Sequence, residues 1–189
     1  MSDNQAIIER RLSAACDALE ALRSNPTSLI KIGDVICNAI DRKGTVLTCG
    51  NGGSAAEALH LAEELIGRFQ EDRPPHRAIC LNADPTALTC IANDYGFEEV
   101  FARQCQALAG PKDVLVVFST SGNSANITRA LHVARGRGAT TIGLLGGDGG
   151  EAAACCDHVL LAPGSDSAAI QECHQVALHA ICNCLEPRQ

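Results

Sequence analysis

Two histidines, a carboxylate and two amides stand at spacings that could hold a metal ion or move protons. His60 and Glu64 are four residues apart in an apolar helical segment, so their side chains share one face of the helix. In the C-terminal helix Gln175 and His179 have the same spacing, and Gln171 lies about 12 Å from His179 along the axis. Imidazole and carboxylate suit zinc and other first-row divalent ions, so these residues predict a metal or acid–base site.

Two loops ahead of helices could bind a ligand. The run Gly50-Asn51-Gly52-Gly53-Ser54 follows an apolar strand, and its glycines let a ligand approach the backbone closely. The run Ser119-Thr120-Ser121-Gly122-Asn123-Ser124 places four hydroxyls at a helix N-terminus, where N–H groups and the helix dipole favour a phosphate. The structural alternative for each run is a turn, and Ser54 with Glu57 has the pattern of a capping box. We expect the hydroxyl loop to bind phosphate.

Composition excludes several classes of protein. The 189 residues are 46% hydrophobic and 20% charged, as in one soluble globular domain, and no apolar run approaches the roughly 20 residues of a membrane helix. The first residues do not resemble a signal peptide, so we expect a cytoplasmic protein that does not bind membranes. The net charge of −7 argues against nucleic-acid binding, which needs clustered cations. Eleven cysteines without a Cys-x-x-Cys pair are interpreted as reduced packing residues.

The elements that must position these residues follow an α/β pattern. Two amphipathic helices, residues 3 to 24 and 27 to 42, precede a region in which short apolar strands alternate with helices. We expect one structural unit, with N-terminal helices (1–44) that pack on the sheet or build a subunit interface, and a domain (45–189) with a three-layer, doubly wound, five-stranded parallel sheet. The strands are expected at 45–50, 77–81, 114–118, 140–145 and 157–161, and the helices near 54–67, 85–93, 97–109, 124–137, 150–155 and 167–185.

Five segments together resemble the bacterial phosphoheptose isomerases, also called sedoheptulose 7-phosphate isomerases. They are Cys-Gly-Asn-Gly-Gly-Ser (49–54), His-Leu-Ala-Glu-Glu-Leu (60–65), Ala-Asn-Asp-Tyr-Gly-Phe (92–97), Ser-Thr-Ser-Gly-Asn-Ser (119–124) and Ile-Gln-Glu-x-His-x4-His (170–179). The resemblance implies a sugar isomerase (SIS) fold, a homotetramer and one zinc per subunit. It also implies conversion of sedoheptulose 7-phosphate to D-glycero-D-manno-heptose 7-phosphate, the first step towards ADP-heptose for lipopolysaccharide or similar glycans.

The resemblance also implies roles for individual residues. Glu64 would be the base and His179 the acid–base partner in an enediol proton transfer. In one respect the chain departs from the family, because Ala169 stands where an arginine is usual. The implied zinc ligands are His60, Glu64, Gln171 and His179; the phosphate would lie on Ser119, Thr120, Ser121 and Ser124; and the sugar would lie on Asn51, Gly52, Gly53, Asn93, Asp94 and Gln171.

Two other functions compete with this one. A related SIS protein without catalytic activity binds the bacterial replication initiator, but it lacks the pattern that this chain retains at His60, Glu64 and His179. A dinucleotide-dependent oxidoreductase would rest on Gly50-x-Gly52-x-x-Ala55 alone, which is a weak signal. The residues therefore favour the isomerase.

Overall fold

The computed structural model describes residues 3–186 and contains two helices followed by a region of alternating strands and helices. The first two helices are α1, Asp3–Ser24, and α2, Thr27–Asp41. The strands are β1, Val46–Gly50; β2, Ala78–Cys80; β3, Val114–Ser119; β4, Thr140–Gly146; and β5, His158–Ala162. The other helices are α3, Gly53–Ile66; α4, Pro85–Tyr95; α5, Ala102–Leu108; α6, Ala125–Gly136; α7, Gly150–Cys155; and α8, Ser167–Cys184.

The five strands form one parallel sheet in the order β2-β1-β3-β4-β5. The chain runs outward from β1 to β2 and then returns to β3 on the other side of β1. The strand order therefore reverses between β1 and β3. Gly50 at the end of β1 pairs with Phe118 near the end of β3. Ligands of open α/β sheets bind at such a reversal, at the carboxyl ends of the strands. The glycine loop and the hydroxyl loop both begin there. The expected fold class is confirmed.

Helices cover both faces of the sheet. Along β3 alternate side chains point to opposite faces, with Val116 in one core and Val117 in the other. The first core contains buried residues of α1, α2, α3 and α8, including Ile36 and Leu61, while α5 and α6 pack in the second. Because α3 and α8 lie on the same face, their polar side chains can meet. None of the helices within residues 3–186 is both long and apolar enough to cross a membrane.

Two local predictions differ from the structure. The segment expected to be one helix over 97–109 is a short 3-10 turn, Phe97–Glu99, followed by α5. The capping box of Ser54 and Glu57 does not form, because Gly52, with φ of 56°, is already the N-cap of α3 and no side chain caps it. Glu57 therefore lies inside the first turns of the helix. The division of the chain at residue 44 stays a prediction.

The cysteines are thiols in the structure, and six of them are buried. Burial raises the pKa of the Cys105 and Cys182 thiols to about 12, so the thiolate form that reacts with oxidants is disfavoured. This agrees with a packing role for these two residues.

Candidate active site

Three side chains that could hold a metal ion converge between α3 and α8. His60 Nε2 lies 3.1 Å from Glu64 Oε1 on α3. His179 of α8 approaches from the other side, with its ring perpendicular to that of His60 and the two centroids 5.1 Å apart. One donor atom from each residue lies within 4.8 Å of the other two, and all three side chains are partly buried. Two imidazoles and a carboxylate fit a zinc-type ion in chemistry and in placement.

The amide that joins this cluster is Gln175. Its Nε2 atom lies 2.6 Å from His60 Nδ1 and 3.3 Å from His179 Nε2. Gln171, the amide expected there, lies one turn earlier on α8 and is directed at the glycine loop, where a Cβ atom added to Gly53 would be 2.4 Å from its Nε2. Within residues 3–186 no hydrogen bond joins Gln171 to either histidine. The structure therefore places the two glutamines at different parts of the site.

The hydroxyl loop surrounds a small polar cavity at the end of β3. The cavity has a volume of about 80 Å³, which suits one small polar group rather than a whole sugar. Ser119 Oγ accepts a hydrogen bond from Gly122 N at 3.0 Å, and Ser124 is the N-cap residue of α6 without forming a capping bond. The lining residues are Asn51, Ser54, Phe118, Ser119, Thr120, Ser121, Ser124 and Gln171. Five hydroxyls, two amides and a helix N-terminus together favour a phosphate group.

The glycine loop is held by amide side chains. Asn51 and Asn126 exchange two hydrogen bonds of 2.8 and 2.9 Å, which ties the loop to α6. Gly50, Asn51 and Gly52 also line a second cavity of about 280 Å³, between the loop and α4.

Two residues expected at the sugar lie outside these cavities. Asn93 and Asp94 are exposed on α4, and Asn93 Nδ2 donates to Asp94 Oδ1 at 2.8 Å. In the described chain neither of them contacts the histidine cluster. The structure thus places the other expected site residues in two groups, the metal-type cluster between α3 and α8 and the loops after β1 and β3, and leaves this pair apart from both.

A buried contact between a histidine and a glutamate lies behind the cluster and was not predicted from the sequence. His174 is fully buried, and its Nδ1 atom lies 3.3 Å from Glu57 Oε2. Its ring also packs edge-on against Phe118, the strand residue that precedes the hydroxyl loop. The position of Glu57, three residues before His60 on the same helix, could have indicated that its carboxylate faces α8. The capping-box interpretation assigned that carboxylate to the end of the helix instead. The pair connects α3 to α8.

A cation from α1 reaches the start of α8. Arg11 donates to both carboxylate oxygens of Asp166, at 2.8 and 2.9 Å, and to Glu172 at 3.1 Å. Asp166 is the N-cap of α8 and accepts from Ala169 N. This backbone bond, and next the Arg11 guanidinium, lower the pKa of Asp166. Ala169 itself is buried.

The SIS domain family model matches residues 12–146. A phosphoheptose isomerase of Solidesulfovibrio magneticus is 51% identical over 148 residues, 78% of this chain and 72% of the relative. This chain belongs to the phosphoheptose isomerases of the SIS domain family. A phosphoheptose isomerase of Helicobacter pylori is 43% identical over 187 residues, 98% of this chain and 96% of the relative. The solved phosphoheptose isomerase of Neisseria gonorrhoeae has a TM-score of 0.90 and 37% identity, covering 96% of this chain and 97% of that one. The relatives from Helicobacter pylori and Neisseria gonorrhoeae thus match nearly the whole length of this chain.

Proposed function

We propose that this isomerase converts sedoheptulose 7-phosphate to D-glycero-D-manno-heptose 7-phosphate, the first step towards ADP-heptose. The observation that carries the proposal is the convergence of His60, Glu64 and His179 between α3 and α8, where the same α8 also supplies Gln171 to the cavity of the hydroxyl loop. A phosphorylated seven-carbon sugar needs an anion site at one end and acid–base groups at the other. The names of the relatives support the same substrate class.

The chemistry is a proton transfer between C1 and C2 of the sugar through an enediol, which needs a base, an acid and stabilisation of the developing charge on oxygen. Glu64 takes the proton from one carbon, and His179 moves the proton of the neighbouring oxygen. Zinc would be held by His60, Glu64 and His179, with Gln171 as the expected fourth ligand and one ion per subunit. When bound, it supplies a Lewis acid that polarises the sugar's oxygens.

The rest of the substrate lies along the edge of the sheet. The phosphate group is held by Ser119, Thr120, Ser121 and Ser124 at the N-terminus of α6. The hydroxyl end of the sugar contacts the glycine loop at Asn51, Gly52 and Gly53, together with Gln171. Asn93 and Asp94, which are exposed on α4 outside both cavities, are assigned to the sugar on the resemblance alone. The cavity of about 80 Å³ supports the first assignment, and the contact between Gln171 and Gly53 supports the second.

The competing function, non-catalytic binding of a replication initiator, is not favoured, because the relatives are isomerases and the three metal-type residues converge. A homotetramer located in the cytoplasm remains part of the proposal. Exposed Ile7, Ile8 and Leu12 on α1 support an assembly of subunits, since they form an apolar stripe that is left uncovered within residues 3–186.

A metal analysis combined with one assay tests the function. We expect purified protein to hold about one zinc per subunit, to isomerise sedoheptulose 7-phosphate, and to lose turnover when a chelator removes the ion, with recovery on adding zinc back. Protein that contains no metal and shows no turnover with sedoheptulose 7-phosphate would contradict the proposal.

A further inference from the structure

Gln175 contacts both imidazoles of the metal cluster. Its amide nitrogen is 2.6 Å from His60 Nδ1 and 3.3 Å from His179 Nε2. His60 thus has a partner at each ring nitrogen, since its Nε2 lies 3.1 Å from Glu64 Oε1. A side chain that touches two metal-type residues at once can decide which of their nitrogens are free to bind an ion.

The chemistry of the partners fixes where the hydrogens lie. An ionised carboxylate only accepts hydrogen bonds, so His60 must donate to Glu64 through an Nε2–H group. In that tautomer the lone pair is on Nδ1, and the NH2 group of Gln175 is assigned to face it on the basis of the hydrogen-bond network. The second hydrogen of that group is available to His179 Nε2. In this arrangement Gln175 donates to both histidines.

An ion at the site reverses this arrangement at His60. Ligand atoms around a tetrahedral zinc, bonded at about 2.0–2.2 Å, lie roughly 3.4 Å apart. The 3.1 Å between His60 Nε2 and Glu64 Oε1 fits such a pair, which makes Nε2 the ligand nitrogen. Nδ1 then carries the hydrogen and needs an acceptor, as the outer nitrogen of a metal-bound histidine usually does.

We propose that Gln175 is a positioning residue of the metal site. With the ion bound, its amide oxygen faces His60 and accepts the Nδ1–H bond; without the ion, its NH2 group holds both rings. This inference rests on the metal-dependent isomerase proposed above. It assigns Gln175 to the support of His60 and leaves the ligand set of that proposal unchanged.

Three single variants of α8 test the inference through zinc affinity, measured by competition with a chelator. Gln175→Leu keeps the size of the side chain but removes the acceptor, and we expect zinc affinity to fall about 10- to 100-fold. Gln175→Glu restores an acceptor, and we expect affinity equal to or above that of the wild type. Val176→Ala, an exposed neighbour on the same helix, is the matched control and should bind zinc like the wild type.

Histidine ¹⁵N NMR of the zinc-loaded wild type adds a direct readout, because His60 Nδ1 should carry the hydrogen. Melting curves check that each variant is folded. If Gln175→Leu binds zinc as tightly as the wild type, or if Gln175→Glu is as weak as Gln175→Leu, the positioning role is wrong while the isomerase proposal stands. If the wild type itself neither binds zinc nor isomerises the sugar, the proposed function fails, and the positioning role fails with it.

Discussion

Glu57 and His174 are within hydrogen-bonding distance in the interior between α3 and α8, with Oε2 and Nδ1 3.3 Å apart and side chains 7% and 0% exposed. Glu57 lies three residues before His60, and His174 lies next to Gln175. The pair therefore fixes the position of one metal-bearing helix relative to the other. His174 Nε2 has no hydrogen-bond partner in the described chain, so the contact with Glu57 is its ring's only polar bond there.

Replacing Glu57 tests this coupling. We expect Glu57→Ala to lower the free energy of unfolding by about 1–3 kcal/mol, because it leaves a buried imidazole without a partner. Urea denaturation measures the loss. The double variant Glu57→Ala/His174→Ala should lose less than the sum of the two single variants, and strict additivity would show that the residues do not act as a pair.

The acid–base roles are tested on α3 and α8. We expect Glu64→Gln and His179→Ala each to lower kcat by about 10²- to 10⁴-fold, the usual contribution of a positioned acid or base. Steady-state assays with sedoheptulose 7-phosphate measure the effect, and circular dichroism checks the fold. Glu63→Gln changes the adjacent, exposed carboxylate and is the control. If Glu63→Gln lowers kcat as much as Glu64→Gln does, the role of Glu64 is not specific.

Gly53 makes room for Gln171. A Cβ atom at residue 53 would displace the end of a flexible side chain rather than backbone. We therefore expect Gly53→Ala to leave stability nearly unchanged and to raise KM about 2- to 10-fold, the equivalent of one hydrogen bond. Unchanged KM in a folded variant would mean that Gln171 does not contact the sugar.

Gly122 in the hydroxyl loop provides a contrast. Its φ is 65°, and an added Cβ would be 2.0 Å from the backbone oxygen of Gly149. We expect Gly122→Ala to destabilise the protein by about 2 kcal/mol or more, because backbone must move and the residue is strained. Thermal denaturation of Gly122→Ala beside Gly53→Ala measures the difference. Equal melting temperatures would contradict the close approach of these two backbone segments.

Asp166 makes the stability of the protein depend on pH. Its pKa is lowered below the ordinary 3.8 by the hydrogen bond from Ala169 N and by Arg11. Because the pKa of Asp166 is lower in the folded protein than in the unfolded chain, the ionised carboxylate stabilises the fold at pH values above the pKa of the unfolded chain. This stabilisation is lost as the pH falls through the pKa of the folded protein. From pH 5 to pH 3 the melting temperature of the wild type should therefore fall further than that of Asp166→Asn, which keeps a helix cap without the charge. Asp17→Asn, exposed on α1, is the control and should fall like the wild type.

Much of the fold and part of the site follow from local sequence patterns. Five apolar strands alternating with helices predict a parallel sheet, and the residues after β1 and β3 must then lie at its carboxyl edge. The pairing of His60 with Glu64 is also local, because helix periodicity alone places residues four apart on one face. The start of α3 was harder to predict, since positive φ at Gly52 begins the helix before Ser54 can cap it.

The sequence by itself determined the chemistry of this protein: the metal-type residues, the hydroxyl loop, and the alternation of strands and helices that places the loops at one edge of a parallel sheet. Only the tertiary structure decided which groups touch. Gln171 and Gln175 are both amides on the polar row of α8, and periodicity cannot say which of them meets the histidines. The distance and rotation between α3 and α8 decide that, and these are set by side chains packed in the core and by the buried Glu57 and His174. The result is Gln175 on the imidazoles and Gln171 on the glycine loop.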